Sequence, residues 1–306
     1  MLTAFWDKVK QQLEQWKLDH AVSPNYEYEL KFVEAIKNNQ PLTKHFQLGM
    51  PDVNDDLISV PYPKNRQLKY WAGDTPSMFK NLESNPNNFT EDNVIYTFNS
   101  HGFRGEDLDV SAEYKVLIIG DSHTFGVGLD DKQTWTHQFK ALLPIENNLI
   151  NLSIAGASMD YISRALFQSI EIIKPDVVIV CYTYDCRRET QMIATQGKIT
   201  QINPTVPNQL PGDDEGKDEF KSWFMTLNHY SNQYNFDKNR EMFKLICDKA
   251  KVPLIESTVI DMLVIQKQMT KKLGYVDKAR DGEHFGPNVH KRFAEQIYKQ
   301  WTLIKN

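Results

Sequence analysis

A chain of 306 residues, 41% hydrophobic and 25% charged, has the make-up of an ordinary soluble globular protein with room for one large domain or two modest ones. Its formal net charge of -5, with Lys and Arg scattered rather than blocked, points away from a nucleic-acid partner, because phosphate binding wants a concentrated basic face. The longest apolar runs, such as Val177 to Cys181, have strand length and fall far short of the roughly 20 residues of a spanning helix, so no membrane span is expected.

Along the chain, Met1 to Lys17 mixes Phe5, Trp6 and Val9 with Lys8, Lys10, Gln11, Gln12 and Glu14. That pattern reads as an amphipathic helix and not as a signal peptide, whose apolar centre would be uninterrupted, and it predicts a cytoplasmic protein. Residues 2–18 and 27–38 read as helical, whereas 40–93 are rich in Asn, Asp and Pro and poor in apolar runs. We therefore expect an N-terminal extension over 1–93 that packs on a domain formed by 94–306.

From Val94 the pattern becomes alternating strand and helix. Lys115-Val-Leu-Ile-Ile-Gly120, Leu149–Leu152, Asp176–Tyr182 and Val252–Glu256 are short apolar runs of the kind that form buried parallel strands. Between and after them, Lys132–Leu143, Asp160–Lys174, Asp237–Lys251 and Pro287 to Ile304 read as helices, the second with apolar residues at three-to-four spacing. Alternation of this kind implies right-handed crossovers and a central parallel sheet between helices, a three-layer α/β/α sandwich. An irregular stretch over about 190–236 interrupts it. There Gly212 to Glu219 reads as a solvated acidic loop, and Trp223, Phe224, Tyr230 and Tyr234 supply aromatic bulk, either for a lid or for the packing of an insertion.

Two short blocks carry chemistry. Gly120-Asp121-Ser122-His123-Thr124-Phe125-Gly126 follows the first strand directly, so Ser122 sits at a strand's carboxyl end, where α/β sheets place their ligands. The bland alternative is a helix cap. Near the C-terminus, Arg280-Asp281-Gly282-Glu283-His284-Phe285-Gly286-Pro287 spaces Asp281 and His284 so that the carboxylate can reach one ring nitrogen while the other faces outward. A serine hydroxyl needs a neutral imidazole to take its proton, and the imidazole needs a carboxylate to fix its tautomer; the chain supplies all three in the order Ser, Asp, His. A surface helix-start motif is the alternative for the distal pair. The three cysteines, Cys181, Cys186 and Cys247, are an odd number without zinc spacing and read as reduced thiols. The acidic loop lacks metal-loop spacing, so neither a metal nor a cofactor is expected.

Gly120-Asp-Ser-His together with Asp281-x-x-His284 resembles the first and last blocks of the SGNH (GDSL-type) hydrolases, a superfamily of esterases, lipases, deacetylases and some acyltransferases. The resemblance runs from about Phe98 to Trp301. Asn99-Ser-His-Gly-Phe-Arg104, Gln133-Thr-Trp135 and Asn151-Leu-Ser-Ile-Ala-Gly156-Ala-Ser are similar to bacterial and phage-encoded members. It implies Ser122 as nucleophile, Asp281 and His284 as its partners, and the backbone amides of Ser122 and Gly156 as an oxyanion hole. One block departs: where the family has Gly-x-Asn-Asp, this chain reads Tyr182-Thr183-Tyr184-Asp185 and lacks the Asn that would complete that hole. Tyr184, Arg187 or Arg188 then stand as substitutes. Arg104 is a substrate contact or a turn-holder, and Arg187, Arg188 and Glu189 either meet an acidic group or pair internally. His123 is assigned no direct role, and Cys186 no thiol chemistry. The resemblance implies hydrolysis of a small acyl ester, such as an O-acetyl carbohydrate. The alternatives are an acyltransferase with the same triad, or a virion-associated structural protein whose extension makes virion or homo-oligomer contacts.

Overall fold

The computed structural model describes residues 62–107, 109, 111–191, 199–202 and 229–305; the helices expected at 2–18 and 27–38, the acidic loop, Trp223 and Phe224 lie outside them. The first described elements are a strand β1 (Arg66–Leu68), a short helix α1 (Pro76–Lys80) and a strand β2 (Tyr96–Phe98) that pairs antiparallel with β1. Then come β3 (Lys115–Ile119), α2 (Ser122–Phe125), a 3-10 turn (Asp131–Gln133), α3 (Trp135–Leu142), β4 (Asn148–Asn151), α4 (Met159–Ile173) and β5 (Val177–Tyr182). An antiparallel pair, β6 (Arg188–Gln191) and β7 (Ile199–Ile202), precedes α5 (His229–Ala250), β8 (Leu254–Thr258), α6 (Val259–Leu273) and α7 (Pro287–Lys305).

The four expected strands form one parallel sheet in the order β4-β3-β5-β8. Strand alternation then sorts the core into two layers. Leu117 and Ile119 of β3, with Val178, Val180 and Tyr182 of β5, face α4 and α5, meeting Ile162, Leu166, Ile170, Phe243 and Cys247. Val116, Ile118, Val177, Ile179 and Cys181 face the other way, against Trp135, Phe139, Met262, Val289, Phe293 and Ile297 of α3, α6 and α7. Side chains on both faces of β3 and β5 are buried, which is why these strands read as unbroken apolar runs. The fold is the expected three-layer α/β/α sandwich.

Three element boundaries differ from expectation, each for a local reason. The helix expected over Lys132–Leu143 breaks at Thr134, whose extended backbone (φ -68°, ψ 147°) ends the 3-10 turn and whose hydroxyl caps α3 by accepting from the His137 N–H. The helix expected from Asp237 begins at His229, its added turns exposing Tyr230 and Tyr234. Helix α6 has no counterpart in the sequence reading. Ile260 and Val264 lie on its exposed side and blur the apolar stripe, although Thr258 and Asp261 form a capping box at its start.

Residues 62–98 pack into the body of this domain. Phe89, Val94, Tyr96 and Phe98 form a third cluster with Phe125, Val127, Leu129 and Ala279, joined by the partly buried Tyr62, Leu68, Trp71 and Phe79. At its edge lies a fully buried ion pair: Arg280 Nη2 donates to Asp74 Oδ2 at 2.7 Å, and Nε to Oδ1 at 3.1 Å. Arg280 also donates to the carbonyls of Lys69, Thr90 and Glu91 and stacks over the Tyr70 ring, while the Tyr96 hydroxyl donates to Asp74 at 2.6 Å.

Breaking that pair from one side strands a charge. Asp74→Ala should cost about 3–5 kcal/mol, read as a lower urea midpoint, whereas Asp74→Leu combined with Arg280→Met should cost far less. An Asp74→Ala protein within about 1 kcal/mol of wild type would show that the Arg280 charge is not held in this way.

Candidate active site

Ser122 is placed by backbone geometry that its neighbours enforce. After β3, Gly120 turns the chain so tightly that a Cβ there would lie 2.2 Å from Thr124 Oγ1 and 3.2 Å from the Cys181 carbonyl oxygen. Asp121 caps α2, its Oδ1 accepting from the His123 N–H at 3.0 Å. Its Oδ2 accepts from Thr183 Oγ1 and from Arg187 Nη1, both at 2.8 Å. Burial alone would raise this carboxyl, but the nearby positive charge and the converging donors outweigh it and hold Asp121 below the usual carboxylate range. Ser122, at the first helical position, is buried, and its N–H makes no hydrogen bond among the described residues.

The distal motif folds back onto this turn. The Arg280 N–H donates to the Gly128 carbonyl at 2.9 Å, and the Ala279 N–H to the His284 carbonyl at 3.0 Å. Gly128 (φ +76°) permits the approach, because a Cβ would stand 2.8 Å from that of Ala279 and 3.0 Å from the Arg280 nitrogen. In the loop, Asp281 Oδ1 accepts from the N–H groups of Glu283 and His284, both at 3.1 Å, and Oδ2 takes His284 Nδ1 at 2.5 Å. Burial works against both charges, yet the contact prevails: the Asp281 carboxyl is held below its ordinary range, and the His284 ring is raised above 6.5. With Nδ1 on Asp281, His284 keeps Nε2 for another partner.

His123, next to Ser122, packs against the distal motif. Its ring lies 4.9 Å from that of His284, 4.6 Å from that of Phe285 and 6.5 Å from that of Tyr184. Burial lowers its pKa to about 4, so it stays neutral, and its buried Nδ1 has no partner among the described residues. No hydrogen bond joins Ser122 Oγ to His284 among the described residues. Gly156 (φ +80°), in the turn between β4 and α4, faces open space where its Cβ would be, and its N–H makes no hydrogen bond among the described residues either.

Of the flanking residues, Arg104 holds a turn. Its Nε meets Asp131 at 2.5 Å, its Nη1 the carbonyls of Phe125 at 2.9 Å and Gly126 at 2.5 Å, and its Nη2 those of Ile95 and Leu129. Arg188 is spent on the carbonyls of Asp185, Arg187 and Ser231 and on Asn232 Oδ1, and Glu189 pairs with Arg164. Tyr184 stands partly exposed under the Arg187 guanidinium, 5.3 Å from its carbon. Burial raises the Cys186 thiol, away from a reactive thiolate. The residue that sequence reasoning missed is Thr183. A hydroxyl ending an apolar run is a weak signal, and its partner Asp121 lies 62 positions away.

No protein-family model matches the chain, and no curated protein matches it. Solved structures do resemble it. The psychrotrophic esterase EstA from Pseudoalteromonas sp. is 14% identical over 63% of this chain and 100% of its own, with a TM-score of 0.34. An acetyl xylan esterase, AlAXEase, is 14% identical over 61% of this chain and 98% of its own (TM-score 0.31). A member of the lipolytic protein G-D-S-L family from Veillonella parvula is 13% identical over 62% and 98% (TM-score 0.31). Likenesses this distant leave the chemistry to the residues themselves.

Histidine titration checks the electrostatics without any substrate. In NMR spectra His284 should titrate above 6.5 and His123 stay neutral down to about 4. Because Asp281 stabilises the imidazolium, Asp281→Asn should move the His284 midpoint downward. A wild-type His284 midpoint at or below 6.5 would contradict the described pair.

Proposed function

We propose that the chain is a serine esterase in which Ser122 is the nucleophile, His284 the general base and Asp281 the group that orients it. The observation that carries this reading is the 2.5 Å contact between His284 Nδ1 and Asp281, with the His284 ring 4.9 Å from that of His123, the residue after Ser122. In the reaction so read, Ser122 Oγ attacks the ester carbonyl carbon while His284 Nε2 takes its proton. The carbonyl oxygen becomes an oxyanion facing the unspent N–H groups of Ser122 and Gly156. As the intermediate collapses, His284 returns the proton to the leaving alcohol. Water, activated by the same ring, then releases the acid from the acyl-enzyme.

The burial of Ser122 (5% exposed) and His123 (8% exposed) favours a small acyl group such as acetyl. An O-acetylated carbohydrate fits that requirement, since its bulk stays outside on the alcohol side. Transfer to a sugar hydroxyl would differ only in the acceptor that resolves the acyl-enzyme. Tyr184, standing where an Asn donor would complete the hole, keeps the weakly active structural alternative in view.

Purified protein should hydrolyse p-nitrophenyl acetate and take a fluorophosphonate label on Ser122. Ser122→Ala should lower kcat by up to about 10⁶-fold without unfolding the protein, and more than about a tenth of wild-type kcat would remove Ser122 from the role. The His284 base works deprotonated, so kcat/KM should be low at acid pH and rise through a midpoint above 6.5. Asp281→Asn should lower kcat by about 10⁴-fold and draw that midpoint down; a flat profile between about pH 5 and 8 would count against a histidine base.

A further inference from the structure

Arg187 is nine-tenths buried, yet it spends only one of its three nitrogens. Nη1 donates to Asp121 Oδ2 at 2.8 Å, to Thr183 Oγ1 at 2.9 Å and, more weakly, to the Ala157 carbonyl at 3.4 Å. Nε and Nη2 make no hydrogen bond among the described residues. A guanidinium is a rigid fork of N–H groups that stays protonated, and neither Nε nor Nη2 is fully buried, so both stay open to a ligand.

The two ends of that fork's anchorage are informative. Asp121 immediately precedes Ser122, and Ala157 immediately follows Gly156, so Nη1 bridges the two segments whose N–H groups are also unspent. The Tyr184 ring packs against the guanidinium carbon at 5.3 Å and keeps its own partial exposure. Arg187 is thus anchored on the residue before Ser122 and the residue after Gly156, with two of its own nitrogens left over.

We infer that Arg187 is the third donor to the oxyanion, replacing through Nε–H or Nη2–H the side-chain amide that this chain lacks at Tyr184. The inference rests on the esterase reading and adds a residue to it. No proton is transferred: the guanidinium hydrogen-bonds the oxygen as negative charge develops on it and releases it when the carbonyl re-forms. Asp121 balances the resting charge of Arg187, so the site needs no resident anion between turnovers.

Arg187→Lys keeps a cation beside Asp121 but removes the fork. It should lower kcat on the neutral ester p-nitrophenyl acetate by about 10²–10³-fold, leave KM within about twofold, and leave the His284 limb of the pH profile in place. Adding Tyr184→Asn to Arg187→Lys should recover part of the lost kcat, whereas Tyr184→Asn alone should gain little because the place is filled. If Arg187→Lys does not fold, Arg187→Gln, which leaves Asp121 and its helix cap in place, should be equally slow. A folded Arg187 variant with kcat within about threefold of wild type, or one whose defect appears only in KM for anionic esters, overturns the assignment. Should wild type show no Ser122-dependent hydrolysis, the esterase reading fails by itself. Arg187 is then judged by calorimetry with phenylboronic acid, whose serine adduct is a tetrahedral anion: weaker binding to Arg187→Lys supports it, and equal binding overturns it.

Discussion

Much of the site hangs on one buried carboxylate. Asp121 caps the helix that carries Ser122, and with its second oxygen it gathers Thr183 from the end of β5 and Arg187 from the turn beyond it. Through Arg187 the same group reaches the Ala157 carbonyl at the end of the β4 connection. Three neighbouring strand ends are thereby tied at one point, with no side chain spanning the sheet. A carboxylate taken wholly out of water tolerates this position only while every donor stays in place, so the arrangement is demanding as well as rigid. That demand explains why an aspartate, rather than the serine or asparagine that would cap equally well, stands before Ser122.

The layers of the fold were legible because they depend on patterns a few residues long. Buried parallel strands leave apolar runs, and Lys115–Ile119 and Val177–Tyr182 did so plainly. Helix α4 showed its stripe because one face packs on the sheet and the other meets solvent. Helix α6 hid its stripe by exposing Ile260 and Val264, and the break at Thr134 is a matter of one residue's backbone angles. Asp281 and His284 were readable as a pair because the geometry that joins them is contained within one turn.

What the sequence could not offer were the long-range polar contacts. Arg104, Arg187 and Arg188 are alike as letters, yet one holds a turn through five carbonyl and carboxylate contacts, one leans on a buried aspartate, and one is spent on main-chain oxygens and an asparagine. The difference lies in which acceptors the fold brings within reach, and no local period encodes that. The same holds for Asp74, an unremarkable member of an Asn- and Asp-rich stretch until Arg280 is set beside it.

The Asp74–Arg280 pair also bears on how the molecule comes together in time. Its members stand 206 positions apart, and the next residue after Arg280 is Asp281. Closing so long a loop is entropically slow, while the sheet and its flanking helices form through contacts of shorter separation. The position of the turn bearing Asp281 and His284 thus depends on the segment around Lys69 to Glu91, which Arg280 holds. A growing chain makes that turn after Ser122, Gly156 and Arg187, so Asp281 and His284 are the latest of these residues to be synthesised.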